Sequence, residues 1–331
     1  MVNTTTTPKA TAPYPGVKSM KAIILGIALL PMAVFAGEKI DQQIEVPNAG
    51  VIHIENQRGD IKVTGWDKNQ FKVTGELDDK AQGYTLKTQG NKTQFIVKMP
   101  ELSNWDNNNN GSTLTIFMPK SSALEFVGVN ASITAKELQK GTEIDVVNGA
   151  ITVNDLNGDI KLTTVNGDIK AKALNGKVQF ETVNGSIDDQ QSSGEVRFSA
   201  VNGDITSNST ANDIRLENVN GDINFNLDTI KELQISTVNG EVKVQINRLL
   251  SDADVSFESV SGNAAFYFPA DLSAQFEVEA HAGGKIDNQL TNDQVQKAKY
   301  GPASGIKFNT NGTDASVEMN TISGVIELKR Q

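Results

Sequence analysis

Residues 148 to 185 read NGAITVNDLNGDIKLTTVNGDIKAKALNGKVQFETVNG, and Asn-Gly falls in them at 148, 157, 166, 175 and 184, every nine residues. Ser193-Gly194 keeps the interval and Asn202-Gly203 follows; Asn212-Asp213 is a degenerate copy one residue late, Asn220-Gly221 restores the register, and Asn239-Gly240 closes the array. Val precedes Asn at 165, 183, 201, 219 and 238, whereas Leu does at 156 and 174, so the repeating unit is about eighteen residues with two similar halves. A fixed short period marks a repeat architecture, in which each unit is too poor in core to stand alone and is stable only when stacked.

Each half has the form G-D-I-x-L-x-x-V-N, as in Ile160, Leu162 and Val165. The two-residue step from Ile160 to Leu162 is β spacing, and the three-residue step to Val165 breaks strand parity, which predicts a bend there. Asn-Gly between alternating apolar runs is also the signal for a two-residue hairpin, so an antiparallel meander competes. A meander would leave every strand apolar on both faces. A corner at Val-Asn-Gly instead turns Val, Ile and Leu into one interior, with Asp outside, glycine supplying positive φ and stacked Asn amides pairing along the axis. The reading is therefore an all-β, parallel β-helix-like solenoid of about eighteen residues per coil, with its corners at Asn148-Gly149, Asn166-Gly167, Asn184-Gly185, Asn202-Gly203, Asn220-Gly221 and Asn239-Gly240. It expects Val201 and Ile223 inside and Thr206 outside.

Working outward, residues 51 to 77 and 84 to 100 show longer alternating runs, and Asn107 to Asn110 reads as a loop. These are expected to form an antiparallel cap over the stack end, whose strand edges would otherwise be unpaired. The expected segmentation is 37–125 for the cap and first coils, 126–250 for the regular array and 251–331 for irregular last coils, with 285 to 302 a loop or short helix. Residues 22 to 36, AIILGIALLPMAVFA, follow Lys21 and are short for a membrane span; Val34 and Ala36 place a signal-peptidase site before Gly37. Residues 1 to 36 thus read as an upstream extension plus signal peptide. No transmembrane span is expected after cleavage, and the localisation expected is exported: periplasmic, cell-surface or secreted.

The motifs IENQRGDIKVTGWD (54–67), TLTIFMPK (113–120), the T-V-N-G-D-I copies and TISGVIEL (321–328) resemble the bacterial putative-adhesin family of β-strand repeat proteins, a domain of unknown function. The resemblance spans roughly residues 40 to 329. It implies an extracytoplasmic β-helix-like fold and transfers no catalytic residue.

Composition narrows the chemistry. The 331 residues include no cysteine, which removes disulfides, thiolate metal sites and cysteine nucleophiles, and only two histidines, His53 and His281. Forty acids against thirty bases give a net charge of −10, which disfavours nucleic acid as a partner. Arg58-Gly59-Asp60, an integrin-type tripeptide, aligns with Asn220-Gly221-Asp222 and reads as a repeat corner with Arg in place of Asn. Asp159, Asp168, Asp204, Asp222 and Glu241 follow corner glycines and Asp213 stands at the degenerate corner, but without the carbonyl-rich turn that calcium needs they read as a solvated edge, so no metal and no cofactor is expected. The candidate binding surface is an outward column of Lys161, Gln179, Arg197 and Arg215, flanked by Thr163, Glu181, Ser199 and Glu217. Its expected partner is an envelope polymer or surface protein. The sequence thus reads as an exported adhesin-like binding or scaffolding module rather than an enzyme; the alternative is a polysaccharide-active β-helix enzyme, for which the irregular region around His281 to Lys299 is the only candidate site.

Overall fold

The computed structural model describes residues 37–100 and 111–331. The expected signal segment, the Asn107 to Asn110 loop and Trp105 lie outside them. Among the described residues, twenty-three strands form one continuous hydrogen-bonded sheet wound into a solenoid, and one hydrophobic core runs from Ile40 to Leu328.

The strand Ile151–Asn166 shows how the sequence makes a coil. Ile151 and Val153 point inward on one face; the chain then turns through Asp155, which is left-handed (φ 55°), buries Leu156 in the corner, and turns again at Gly158 (φ 103°). Ile160 and Leu162 point inward on the opposite face. The next coil repeats this eighteen residues later and in parallel: Ile169 pairs with Ile151, Leu174 with Leu156, and Phe180 with Leu162. Further coils stack in the same way through Phe198, Leu216, Ile235 and Phe257. Phe180 and Phe198 lie face to face with ring centroids 5.2 Å apart, so stacking in register also stacks the largest core side chains.

One expectation is overturned at the main corner. Val165, Val183, Val201 and Val219 do not face the interior; they are 37 to 40% exposed. The strand keeps its parity past Leu162, and the inward slot goes to the residue before Val: Thr164, Thr182, Ala200, Asn218 and Thr237. The physical reason is the pleat, which turns every second side chain inward, so two residues after Leu162 the slot falls to Thr164, and it takes apolar and polar residues alike, Val146 one coil below among them. In some coils the occupant's polar group also reaches a corner carbonyl. Thr164 Oγ1 donates to the Gly149 carbonyl (3.1 Å) and Asn218 Nδ2 to the Gly221 carbonyl (3.1 Å).

The corner glycines have a second reason as well. Gly167, Gly185 and Gly203 are not left-handed; each is glycine because a Cβ would sit 1.9 to 2.0 Å from the carbonyl oxygen of the glycine one coil below. The expected asparagine ladder is present. Asn148 Nδ2 donates to Asn130 Oδ1 (2.8 Å), Asn166 to Asn148 (2.7 Å), Asn184 to Asn166 (2.8 Å), Asn202 to Asn184, Asn220 to Asn202 and Asn239 to Asn220 (each 3.1 Å), and Ser261 continues the chain onto Asn239.

The ends of the stack are interleaved. Val51–Trp66 runs parallel to Ala123–Leu138, lying between it and the strands Lys92–Val97 and Ser112–Pro119. The antiparallel cap therefore consists of Lys39–Glu45, Gln70–Glu76 and Tyr84–Gln89, laid on the outermost of those strands, and does not include Val51–Trp66. At the other end the last strands in sequence are not the last in space. Ala315–Thr321 fits between residues 254–259 and Ala274–Ala280, and Val325–Arg330 between Asn263–Phe268 and Lys285–Asn288. Ser304–Asn309 closes that end by antiparallel pairing with Ala274–Ala280. Residues 285 to 302 hold two short strands and no helix.

Candidate functional site

The outward column proposed from the sequence forms on one face. Gln179 lies between Lys161 and Arg197, and Arg215 follows, each one coil apart. The flanking column stacks likewise as Thr163, Glu181, Ser199 and Glu217. Between them is a shallow depression of about 230 Å³ lined by Gln179, Glu181, Arg197, Ser199, Arg215 and Glu217, floored by Phe180 and Phe198. Neither glutamate of the flank neutralises an arginine: Glu181 accepts from Gln179 Nε2 (2.5 Å), and Arg197 turns the other way, giving Nε (2.9 Å) and Nη2 (2.7 Å) to Glu195 Oε1. Arg215 makes no ion pair with any described residue. Such exposed pairs are worth at most about 1 kcal/mol, so the column can exchange Glu195 for another anion at little cost.

The corner acids Asp168, Asp204 and Asp222 are exposed, and each also binds backbone. Asp168 Oδ1 accepts the backbone N–H of Ser186, Asp204 that of Asp222, and Asp222 that of Glu241, all at 2.9 Å. Each caps the donor of the next coil. No cluster of three or more metal-ligating side chains occurs among the described residues.

Arg58 is where the integrin-type reading would place a recognition residue, and it is buried. Its Nε and Nη2 meet Asp78 Oδ2 and Oδ1 at 2.7 and 2.8 Å, while Asp78 also accepts from the Lys80 N–H (2.9 Å). Burial raises the Asp78 carboxyl, but the Arg58 hydrogen bonds and the Lys80 N–H outweigh it and hold the group below its ordinary value. Arg58 pairs in register with Asn130, the foot of the asparagine ladder, in agreement with a repeat corner. Trp66 is also structural: Nε1 donates to the Gln70 carbonyl (2.8 Å) and the ring stacks on Phe117.

Asp189 escaped sequence reasoning. In register it falls between Ala171 and Ser207, an inward position, and it is fully buried. Ser207 Oγ donates to Oδ2 (2.8 Å), Ser192 donates to Oδ1, and Ser209 Oγ donates to the Ser192 carbonyl (2.8 Å), so two coils carry a polar plug where their neighbours carry Val153, Ala171 and Phe225. Loss of solvation pushes the Asp189 carboxyl up to about 6, against the pull of the two serine hydroxyls. The native state therefore holds this proton more tightly than the unfolded chain, so the stability it confers is complete below pH 4 and declines as pH rises to 6. Asp189→Asn is expected to match the parent at pH 4 and to exceed it by about 3 kcal/mol at pH 7.5. Denaturant melts at the two pH values check this, and a variant less stable than the parent at pH 7.5 would refute it.

The irregular segment flagged for an enzyme does border a groove of about 490 Å³, lined among others by Glu277, Glu279, His281, Lys297 and Lys307. Its carboxylates are engaged: Lys307 Nζ lies 2.5 Å from Glu277, and His281 Nε2 lies 3.5 Å from Glu279.

Known proteins bear on this geometry at the level of the fold. The Toastrack DUF4097 family matches residues 42–329. The chain belongs to that family. A search of curated proteins finds no match. Solved structures that resemble this Toastrack chain include a "putative adhesin" from Bacteroides fragilis (13% identity, 88% of this chain and 97% of that one, TM-score 0.41). Others are a "putative lipid binding protein" from Parabacteroides distasonis (15%, 88% and 97%, 0.38) and a "putative cell adhesion protein" from Clostridium sporogenes (11%, 89% and 100%, 0.21). Among the described residues no helix is long and apolar enough to cross a membrane.

Proposed function

We propose that this Toastrack protein is an exported, adhesin-like binding or scaffolding module of the cell envelope that works without catalysis. The observation that carries the reading is the in-register column of Lys161, Gln179, Arg197 and Arg215, whose spacing is set by the coil rise of about 4.8 Å. Arginine holds a carboxylate or phosphate in two-point contact, and a row of such donors favours a polymer carrying repeated anionic groups over a single anion. The partner proposed is thus an anionic envelope polymer or the acidic surface of an envelope protein. The predicted segment before Gly37 supports export.

Binding is expected to be weak and to fall with salt, since exposed charges are screened over about 10 Å at 0.1 M. Arg197→Ser/Arg215→Ser, checked for an unchanged melting temperature, is expected to lose most binding to envelope fractions at low salt. Equal binding by variant and parent would remove this face as the site. The polysaccharide-active alternative draws on the Glu277 to Lys307 groove, and release of reducing ends from envelope glycans by purified protein would favour it over binding alone.

A further inference from the structure

The outward valines form a feature that the anionic-polymer face does not use. Val147, Val165, Val183, Val201, Val219 and Val260 are 37 to 43% exposed at equivalent corner positions, Val238 between the last two is half-buried, and Ile322, at 47%, ends the row. The residues on either side of each valine pair in register, Thr164 with Thr182 and Asn166 with Asn184, so the valines stand directly above one another. Single exposed apolar side chains are ordinary on a protein surface, but a contiguous row of them is not. From Val147 to Val260 the row climbs six coils, about 29 Å at the parallel-strand spacing.

Carboxylates border this ridge on both sides. Two residues before the valines runs the column Asp145, Thr163, Glu181, Ser199, Glu217, Ser236 and Glu258. Three residues after them, beyond the asparagine ladder, run Asp168, Ser186, Asp204, Asp222 and Glu241. Neither column contains Lys or Arg. At its upper end the ridge meets a hollow of about 290 Å³ lined by Thr237, Ser259, Val260, His281, Thr321 and Ile322.

We propose that this edge docks a basic amphipathic helix, with its apolar stripe along the valines and its lysines or arginines reaching the carboxylates on either side. The dimensions agree: a helix presents one apolar residue per 5.4 Å turn against a valine every 4.8 Å or so, and about 19 helical residues span the ridge. The charges select against other occupants. A second copy of this chain would set acid columns against acid columns, and an anionic membrane would be repelled in the same way. The Arg197 and Arg215 column lies beyond the glutamates, which border both surfaces, so variants of the valines and of the corner aspartates test this edge while the arginine variants test the other.

The probe is a synthetic 18-residue peptide of leucine and lysine with leucines at helical spacing, compared with a scrambled peptide of the same composition and with a leucine and glutamate version. Titration against the full chain is expected to show binding of the patterned basic peptide alone. Val165→Thr/Val183→Thr/Val201→Thr/Val219→Thr keeps side-chain shape and strand preference, and is expected to weaken that binding roughly tenfold, as loss of four apolar contacts would. Asp204→Asn/Asp222→Asn keeps the acceptors for the backbone N–H groups and is expected to weaken it and flatten its salt dependence. Arg197→Ser/Arg215→Ser is expected to bind as tightly as the parent or more tightly. Equal binding of patterned and scrambled peptides, binding by the threonine variant within twofold of the parent, absence of binding, or self-association of the parent that the threonine variant abolishes would each overturn the proposal.

Discussion

Ile223→Asp is expected to lower stability by more than about 4 kcal/mol, while Val201→Asp and Thr206→Asp each change it by less than about 1 kcal/mol. Ile223 is 1% exposed and stacks between Ile205 and Val242, so an aspartate there would be a carboxylate without solvent or a partner. In a solenoid the loss propagates, because each coil is held by its neighbours rather than by its own core. The sequence taken alone puts Val201 and Ile223 in one class. The structure separates them, since Val201 is 40% exposed and Ala200 holds the interior slot. Chemical denaturation of the three variants is the check, and a large loss in Val201→Asp would restore the discarded corner.

Arg58→Met is expected to cost roughly 3 to 5 kcal/mol, the range for removing one member of a buried ion pair. The loss arises mainly from Asp78, which is 2% exposed and would keep its desolvation penalty without the guanidinium that offsets it. The sign with pH follows. In the parent the Asp78 carboxyl is depressed, so its contribution is present above the unfolded carboxylate value near 4 and is lost as pH falls through the lower folded value. In the variant the guanidinium no longer opposes burial, so the carboxyl rises from its value in the parent and takes up a proton more readily, and the gap between variant and parent narrows as pH falls from 7 to 4. A gap independent of pH would mean that the loss is one of packing. A binding role for the tripeptide would require instead that Arg58→Met leave stability unchanged.

The coil was legible because its signal is a spacing. Asn-Gly at nine-residue steps with a Leu and Val alternation gave the eighteen-residue unit, and the ladder from Asn148 to Asn239 follows from it. The column of Lys161, Arg197 and Arg215 was legible for the same reason. The corner was misread because the polar occupants of its inward slot, Thr164 and Thr182, hide strand parity from a search for apolar residues. Counting two steps from Leu162 reaches Thr164, whose hydroxyl donates to the Gly149 carbonyl, a contact that the local pattern does not announce. Asp189 could have been placed by the repeat, which aligns it with Ala171, but the polar run from Asp188 to Ser193 looks like a loop. The interleaving of Ala315–Thr321 between earlier strands left no trace in local pattern, because it pairs residues about sixty positions apart.

Both surfaces rest on one claim, that eighteen residues make one coil and one strand spacing. The chain has no cysteine, so Thr152→Cys/Asn224→Cys can be spin-labelled at two defined sites. Both positions are exposed, and they lie in one column through Lys170, Asp188 and Thr206. A pulsed electron-resonance distance measurement is expected to give a backbone separation of four coils, about 19 Å after allowance for the label arms. An antiparallel meander of nine-residue strands would put eight strand spacings between them, about 38 Å, and a distance near that value would contradict the solenoid.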